Sequence, residues 1–166
     1  NDFGRPVEYT WTDDLKGFRY NSAVAAASTK NYMLPTDVST PIPSLNESCL
    51  QDMLALCKEK NAELILVSTP STINWNQARH NSIAAFAKEN NLTYLDLNTM
   101  PKEVPIDWSR DTRDRGDHLN YAGAVKVSAF LGKYLQETYS LPDQRDAAHN
   151  SSWNDALGRY RNMVRG

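Results

Sequence analysis

Two apolar runs, Glu63-Leu-Ile-Leu-Val-Ser-Thr69 and Leu92-Thr-Tyr-Leu-Asp-Leu-Asn98, flank one helical pattern, and that order restricts the fold more than any other feature. A near-continuous apolar run of this length reads as a strand buried on both faces. Pro70 stops the first run, and residues 77–88 then place Ile83, Ala84, Phe86 and Ala87 at helical spacing. Two strands joined through a helix lie parallel, because an antiparallel pair needs only a tight turn while a parallel pair needs a long crossover. A parallel sheet in turn requires helices on both faces. The predicted class is α/β.

The remaining periodic segments supply those helices. Ser44-Leu-Asn-Glu47 has the form of a capping box, followed by Cys49, Leu50, Met53, Leu54 and Cys57 on one helical face. The two cysteines lie about 12 Å apart along such a helix, too far for a bridge between them, and read as small core residues. Asn120 is placed to cap a helix with Val125, Val127, Phe130, Leu131, Tyr134 and Leu135 on its inner stripe, ended by Leu141-Pro142. A last amphipathic helix from about Ser152 gathers Trp153, Ala156, Leu157, Tyr160 and Met163. Residues 1–43 are irregular: Val7–Trp11 alternates like a short strand, Ser22–Ser28 is too short to decide, and Thr36–Pro43 reads as extended loop. The expected organisation is one domain, or the carboxyl-terminal part of a larger one, with an edge segment 1–43, an α/β core 44–140 and a helical extension 141–166. Two strands make a thin sheet for so many helices. Either residues 1–43 add edge strands or the rest of the sheet lies on other chain; the second is the expectation, and open edges would then favour a homodimer.

Composition excludes several classes. A net charge of −2 gives no basic footprint for nucleic acid or an anionic membrane. No apolar run approaches the ~18 residues of a transmembrane helix. The opening Asn1-Asp2-Phe3-Gly4 has neither an initiator Met nor a signal-peptide pattern and reads as a processed or partial chain. Two free thiols lean toward a reducing compartment, a weak inference in a chain this short.

Ligands of parallel α/β sheets sit at the carboxyl ends of the strands. The first strand delivers Ser68, Thr69, Ser71 and Trp75 to that edge; the second delivers Asp96 and Asn98, then a long loop carrying Asp107, Trp108, Asp111, Asp114, Asp117 and His118. A loop of this length suggests function rather than mere connection. A carboxylate beside a histidine can fix its tautomer and poise it as a base. The plain alternative is a solvated acidic turn whose histidine satisfies a backbone group. The three aspartates could also attract a hard cation, but the Gly and terminal Glu of a calcium loop are missing at the required offsets. Neither a metal nor another cofactor is expected.

The string Asp114-Arg-Gly-Asp117-His118-Leu-Asn120-Tyr-Ala-Gly123-Ala124, entering an amphipathic helix, resembles the last motif of the SGNH/GDSL hydrolase superfamily. It is most similar to branches near the bacterial cell-envelope acyl-transfer proteins, such as the one acting in D-alanylation of teichoic acid. Val67-Ser-Thr-Pro70-Ser71 and Ile106-Asp-Trp108 share the resemblance, which spans roughly residues 45–140. It implies a three-layer, flavodoxin-like parallel sheet, here incomplete, with His118 as the general base. The family's orienting acid stands three residues before the histidine, where this chain has Arg115. The candidates are therefore Asp114, one position too far, and Asp117, directly adjacent, with Asp114 ranked first. Ser71, Trp75, Trp108 and Asn120 are the candidate substrate contacts.

The family's nucleophile turn, Gly-Asp-Ser or Gly-x-Ser, does not occur in this sequence, and its Gly-x-Asn-Asp motif is only echoed by Ser152-Trp-Asn154-Asp155, on the wrong side of His118. The resemblance thus implies the carboxyl-terminal part of a serine esterase or O-acyltransferase, catalytically silent by itself. Its substrate would be a small-molecule or glycan acyl ester, in or near the cell envelope. The alternative is a non-catalytic α/β module that binds glycan or protein through Trp75 and Trp108.

Overall fold

The structure is a computed structural model, and it describes residues 15–145 and 151–165. Among these residues the protein is a mixed α/β structure with four helices and a two-stranded parallel sheet. The elements are α1 (Ser44–Glu59), β1 (Ile65–Ser68), α2 (Gln77–Glu89), β2 (Thr93–Asp96), α3 (Tyr121–Tyr139) and α4 (Ser151–Arg165). The described residues fall into two compact units, 21–134 and 15–20 with 135–145 and 151–165.

In the larger unit β1 and β2 pair in parallel from Ile65 opposite Thr93 to Ser68 opposite Asp96. The connection is α2, as the alternation of patterns predicts. Asn76 caps it, its side chain accepting the Arg79 N–H at 2.9 Å, and Phe86 and Ala87 are its buried residues. Expected burial of the strands on both faces does not hold, since Val67 is 41% exposed. One face of β1 is open because no described element covers it.

The core of this unit lies beyond the strand ends. Leu97, Val104 and Val127 are buried together, with Leu95, Met100, Ile106, Leu119, Phe130 and Leu131 packed around them. The loop after β2 therefore folds onto α3 and contributes to the interior. Full burial of Leu97 and Val104 stabilises this arrangement by about 1.5–3 kcal/mol each. On α3 the inner stripe is Val127, Phe130, Leu131 and Tyr134, while Val125, expected inside, is 43% exposed.

Two expectations for α1 are corrected. The capping box does not form: Pro43 is the cap residue, Ser44 is already helical, and no side chain caps the helix. Proline fixes φ near −65°, and Pro43 at −56° starts the turn one residue before serine could cap it. Nor are the cysteines core residues, since Cys49 is exposed and Cys57 half-buried. Only Leu50, Leu54 and Cys57 turn partly inward, and Met53 faces solvent. A hollow of about 600 Å3, lined by Leu54, Cys57, Leu64 and Leu92 among others, separates this face from close packing.

The smaller unit contains α4 and the segment around Phe18. Ala156 is buried, and Phe18 meets Tyr160 edge-to-face at 5.8 Å. The inward phase is Ala156, Tyr160 and Val164, so Trp153, Leu157 and Met163, expected on the buried face, are exposed instead. Val7–Trp11, read as a strand, lies outside the described residues. No helix among the described residues is long and apolar enough to cross a membrane.

Candidate active site

The long loop is anchored before it reaches His118. Asp111 is 3% exposed and accepts the Asp107 N–H at 2.7 Å, while Lys126 of α3 reaches it at 2.6 Å. Asn120 is equally buried: its amide donates to the carbonyls of Arg110 and Ala23 at 2.6 and 3.0 Å, and its side-chain oxygen accepts the Gly123 N–H. It caps α3, as its position predicts, and its polar atoms are spent on the scaffold. The undecided segment Ser22–Ser28 lies along this loop, with Ala25 and Ala27 N–H groups donating to the Thr112 and Trp108 carbonyls.

Between Thr112 and Leu119, which form an antiparallel bridge, the chain makes a hairpin-like tip. Arg115 and Gly116 both take positive φ, +63° and +102°. This left-handed pair folds Asp114 back onto His118. Oδ1 of Asp114 accepts the His118 backbone N–H at 2.6 Å, and Oδ2 lies 2.7 Å from His118 Nδ1. Asp117 Oδ2 is farther, at 3.4 Å from the same nitrogen, and Asp117 Oδ1 accepts from the Asn74 amide. Of the two candidate acids, Asp114 makes the hydrogen bond. Arg115, at the expected acid position, is exposed.

Burial pushes the Asp114 carboxyl up, but the backbone and ring N–H groups of His118, with Arg113 nearby, outweigh it and hold it below its ordinary value. An ionised Asp114 selects the Nδ1–H tautomer of a neutral imidazole. Nε2, on a side chain 55% exposed and with no hydrogen-bond partner among the described residues, is then free to accept a proton. One ligand atom each from Asp114, Asp117 and His118 also lie within 4.8 Å of one another. A cation there would use the Nδ1 lone pair, which the Nδ1–H tautomer commits to its proton, so dyad and metal site are mutually exclusive states of these groups.

Ser71 locks the tip from the β1 side. It is 7% exposed, and its hydroxyl accepts the Asn74 N–H and donates to the carbonyls of Gly116 at 2.9 Å or Asp117 at 3.1 Å. Thr72 N–H joins it on Gly116. Gly116 has to be glycine: a Cβ would stand 2.0 Å from Thr72 Oγ1 at a φ that side chains rarely adopt. Trp75 and Trp108 make their contacts elsewhere, the first through its N–H bond to Asp96 and the second edge-to-face on Tyr32 at 4.9 Å. The structure thus gathers His118, Asp114, Asp117, Asn74 and Ser71, and among the described residues no serine hydroxyl bonds His118.

A second His–Asp pair was not anticipated from the sequence. Asp96, at the end of β2, is 4% exposed; His80 Nδ1 of α2 lies 2.6 Å from it, and Trp75 and both N–H groups of Asn98 also reach it. Asn98 Oδ1 accepts from the Ser71 N–H and the Tyr32 hydroxyl, so the network runs from α2 to the loop tip. Burial, with the Asp96 charge, pushes the phenols of Tyr32 and Tyr94 well up, keeping both protonated. The only signal was a histidine on the connecting helix and an aspartate at the next strand's end, which become neighbours only through the crossover.

The fold and site together define an α/β chain with an acid-oriented histidine at the carboxyl edge of a parallel strand pair. No protein-family model, no curated protein and no solved structure matches it.

Proposed function

We propose that this chain is the carboxyl-terminal part of an SGNH-like serine esterase or O-acyltransferase, supplying the general base His118 to a three-layer, flavodoxin-like domain. The observation that carries the reading is the His118–Asp114 pair at 2.7 Å with Nε2 unencumbered, on the loop that follows β2. In such a site Nε2 takes the proton of an attacking serine hydroxyl while Asp114 stabilises the imidazolium that forms. The serine is assigned to polypeptide outside these residues, because Ser71 is committed to the loop and Ser68 to Tyr94 at 3.0 Å. The unpaired edges of the two-stranded sheet fit further strands, and the open face at Val67 fits a helix layer over them. An acyl ester on a glycan or small molecule is the substrate class the resemblance suggests, and acyl transfer to water or to an alcohol uses the same base.

The test has two arms. The 166-residue chain and its His118→Ala variant are expected to hydrolyse p-nitrophenyl acetate at the same background rate. Turnover that depends on His118 would place the nucleophile within this chain and overturn the division of labour. In the gene's whole product, serine labelling by a fluorophosphonate is expected to slow about 10²–10⁴-fold in His118→Ala, the usual contribution of a general base. Labelling indifferent to that change would refute the role of His118. The competing reading, a binding module, is favoured by the separate aromatic cavity at Tyr32 and Trp108.

A further inference from the structure

Beside the strand ends, away from the His118 tip, lies a cavity of about 240 Å3. Its walls are Pro70, Pro101 and Pro105 with Leu97, Val104 and Ile106, closed at one corner by Tyr32 and Trp108. The two rings meet edge to face at 71° with centroids 4.9 Å apart, forming an aromatic corner. The polar groups are few. The Tyr32 hydroxyl is bonded to Asn98, and the Asn98 side chain is filled by Ser71, Tyr32, Asp96 and the carbonyls of Ser68 and Thr69. That leaves Asp107 at the exposed rim. Among the described residues the hydrogen bonds to its carboxylate, from the Ser109 N–H and hydroxyl, both fall on Oδ1, which leaves Oδ2 to the solvent side. Those Ser109 bonds, with Arg110 and Lys126 farther off, hold the carboxyl below its ordinary value, so it is ionised at neutral pH.

The cavity thus offers an aromatic corner, apolar walls and one carboxylate, and among the described residues no Lys, Arg or His lines it. The Lys126 ammonium, which reaches the Pro105 carbonyl at 2.9 Å, is committed to Asp111 at 2.6 Å. A neutral apolar guest would fill the walls but leave Oδ2 unused; an anion would meet Asp107. A compact alkylated ammonium satisfies both, through the aromatic corner and the carboxylate. The volume, below the ~300–1,000 Å3 of pockets for drug-sized ligands, suits a single head group. We propose that the Tyr32–Trp108 corner with Asp107 is a binding site for a small organic cation of the quaternary-ammonium class. This goes beyond the esterase reading and does not require His118 to be catalytic.

The experiment is a titration of the 166-residue chain with choline chloride at constant ionic strength, following the Trp108 indole N–H by two-dimensional NMR. The neutral isostere 3,3-dimethylbutan-1-ol is run in parallel. Choline is expected to shift that resonance saturably, with the isostere roughly tenfold weaker or more. Asp107→Asn keeps an acceptor for Ser109 while removing the charge, so it is expected to fold normally and weaken choline about tenfold. Tyr32→Phe keeps the ring and is expected to hold affinity within about twofold. Absence of saturable binding, equal affinity for the isostere, or an unaffected Asp107→Asn would each overturn the assignment.

Discussion

Asp96 is the hub on which the strand ends depend, and its replacement gives the sharpest test of the scaffold. Four donors converge on a carboxylate whose side chain is 2% exposed: His80, the Trp75 indole, and the backbone and side-chain N–H groups of Asn98. In Asp96→Ala they fare differently. His80, at 24% exposure, can turn to water, and the Asn98 amide keeps the Thr69 carbonyl at 3.2 Å. The Trp75 indole and the buried Asn98 N–H lose their acceptor. Two such orphans at about 1–3 kcal/mol each put the cost at about 2–6 kcal/mol. That is a large part of the 5–15 kcal/mol typical of a whole domain. Asp96→Asn keeps one acceptor for the Asn98 N–H but turns an NH2 toward Trp75 or His80, so about 1–3 kcal/mol is expected. Urea unfolding followed by tryptophan fluorescence measures both, at unchanged m-value. A loss below about 1 kcal/mol for Asp96→Ala would refute the hub, since a single orphaned donor already costs that much.

Gly116→Ala should cost about 2–4 kcal/mol, from a left-handed φ of +102° and a Cβ set 2.8 Å from Ala27 as well as against Thr72; a thermal melt within 2 °C of wild type would contradict it. Thr72→Val removes a buried hydroxyl that has no hydrogen-bond partner among the described residues and keeps the shape, so stability should hold or rise by up to about 1 kcal/mol in denaturant titration. Asp114 is more acidic folded than its ordinary value of 3.8, so its contribution is complete above that pH and fades as pH falls through the lower folded value. Hydrogen exchange at the His118 amide, which Asp114 accepts, should therefore keep its intrinsic-rate-corrected protection from pH 7 to pH 5 and lose it in stronger acid. Protection that falls already on going from pH 7 to pH 5 would show that another group controls the loop.

The strand–helix–strand core was readable because burial and helical phase alternate cleanly across residues 63–98. The helix faces were less so. Val125, Trp153 and Met163 fit an apolar stripe as well as Val127, Ala156 and Tyr160 do, and only packing selects the phase. Ser44 illustrates a local competition, a good capping residue pre-empted by the proline before it. Around His118 the residue types pointed to a His–Asp pair, but not to which acid would make it. The choice lies in backbone torsion: left-handed Arg115 and Gly116 supply the extra reach that returns Asp114 to the ring. Residues 21–27 gave no pattern because they bind the loop through backbone groups, which any sequence possesses. His80 and Asp96 meet only in three dimensions.

The central claim is that Asp114 holds His118 with its proton on Nδ1 and Nε2 open to receive another. Long-range 1H–15N correlation of the imidazole ring, at a pH where it is neutral, reads this directly. The geometry predicts a protonated Nδ1 and an unprotonated Nε2, with that preference lost in Asp114→Ala. A neutral ring protonated on Nε2, or a tautomer unchanged by Asp114→Ala, would contradict it and leave His118 a surface histidine on an acidic turn.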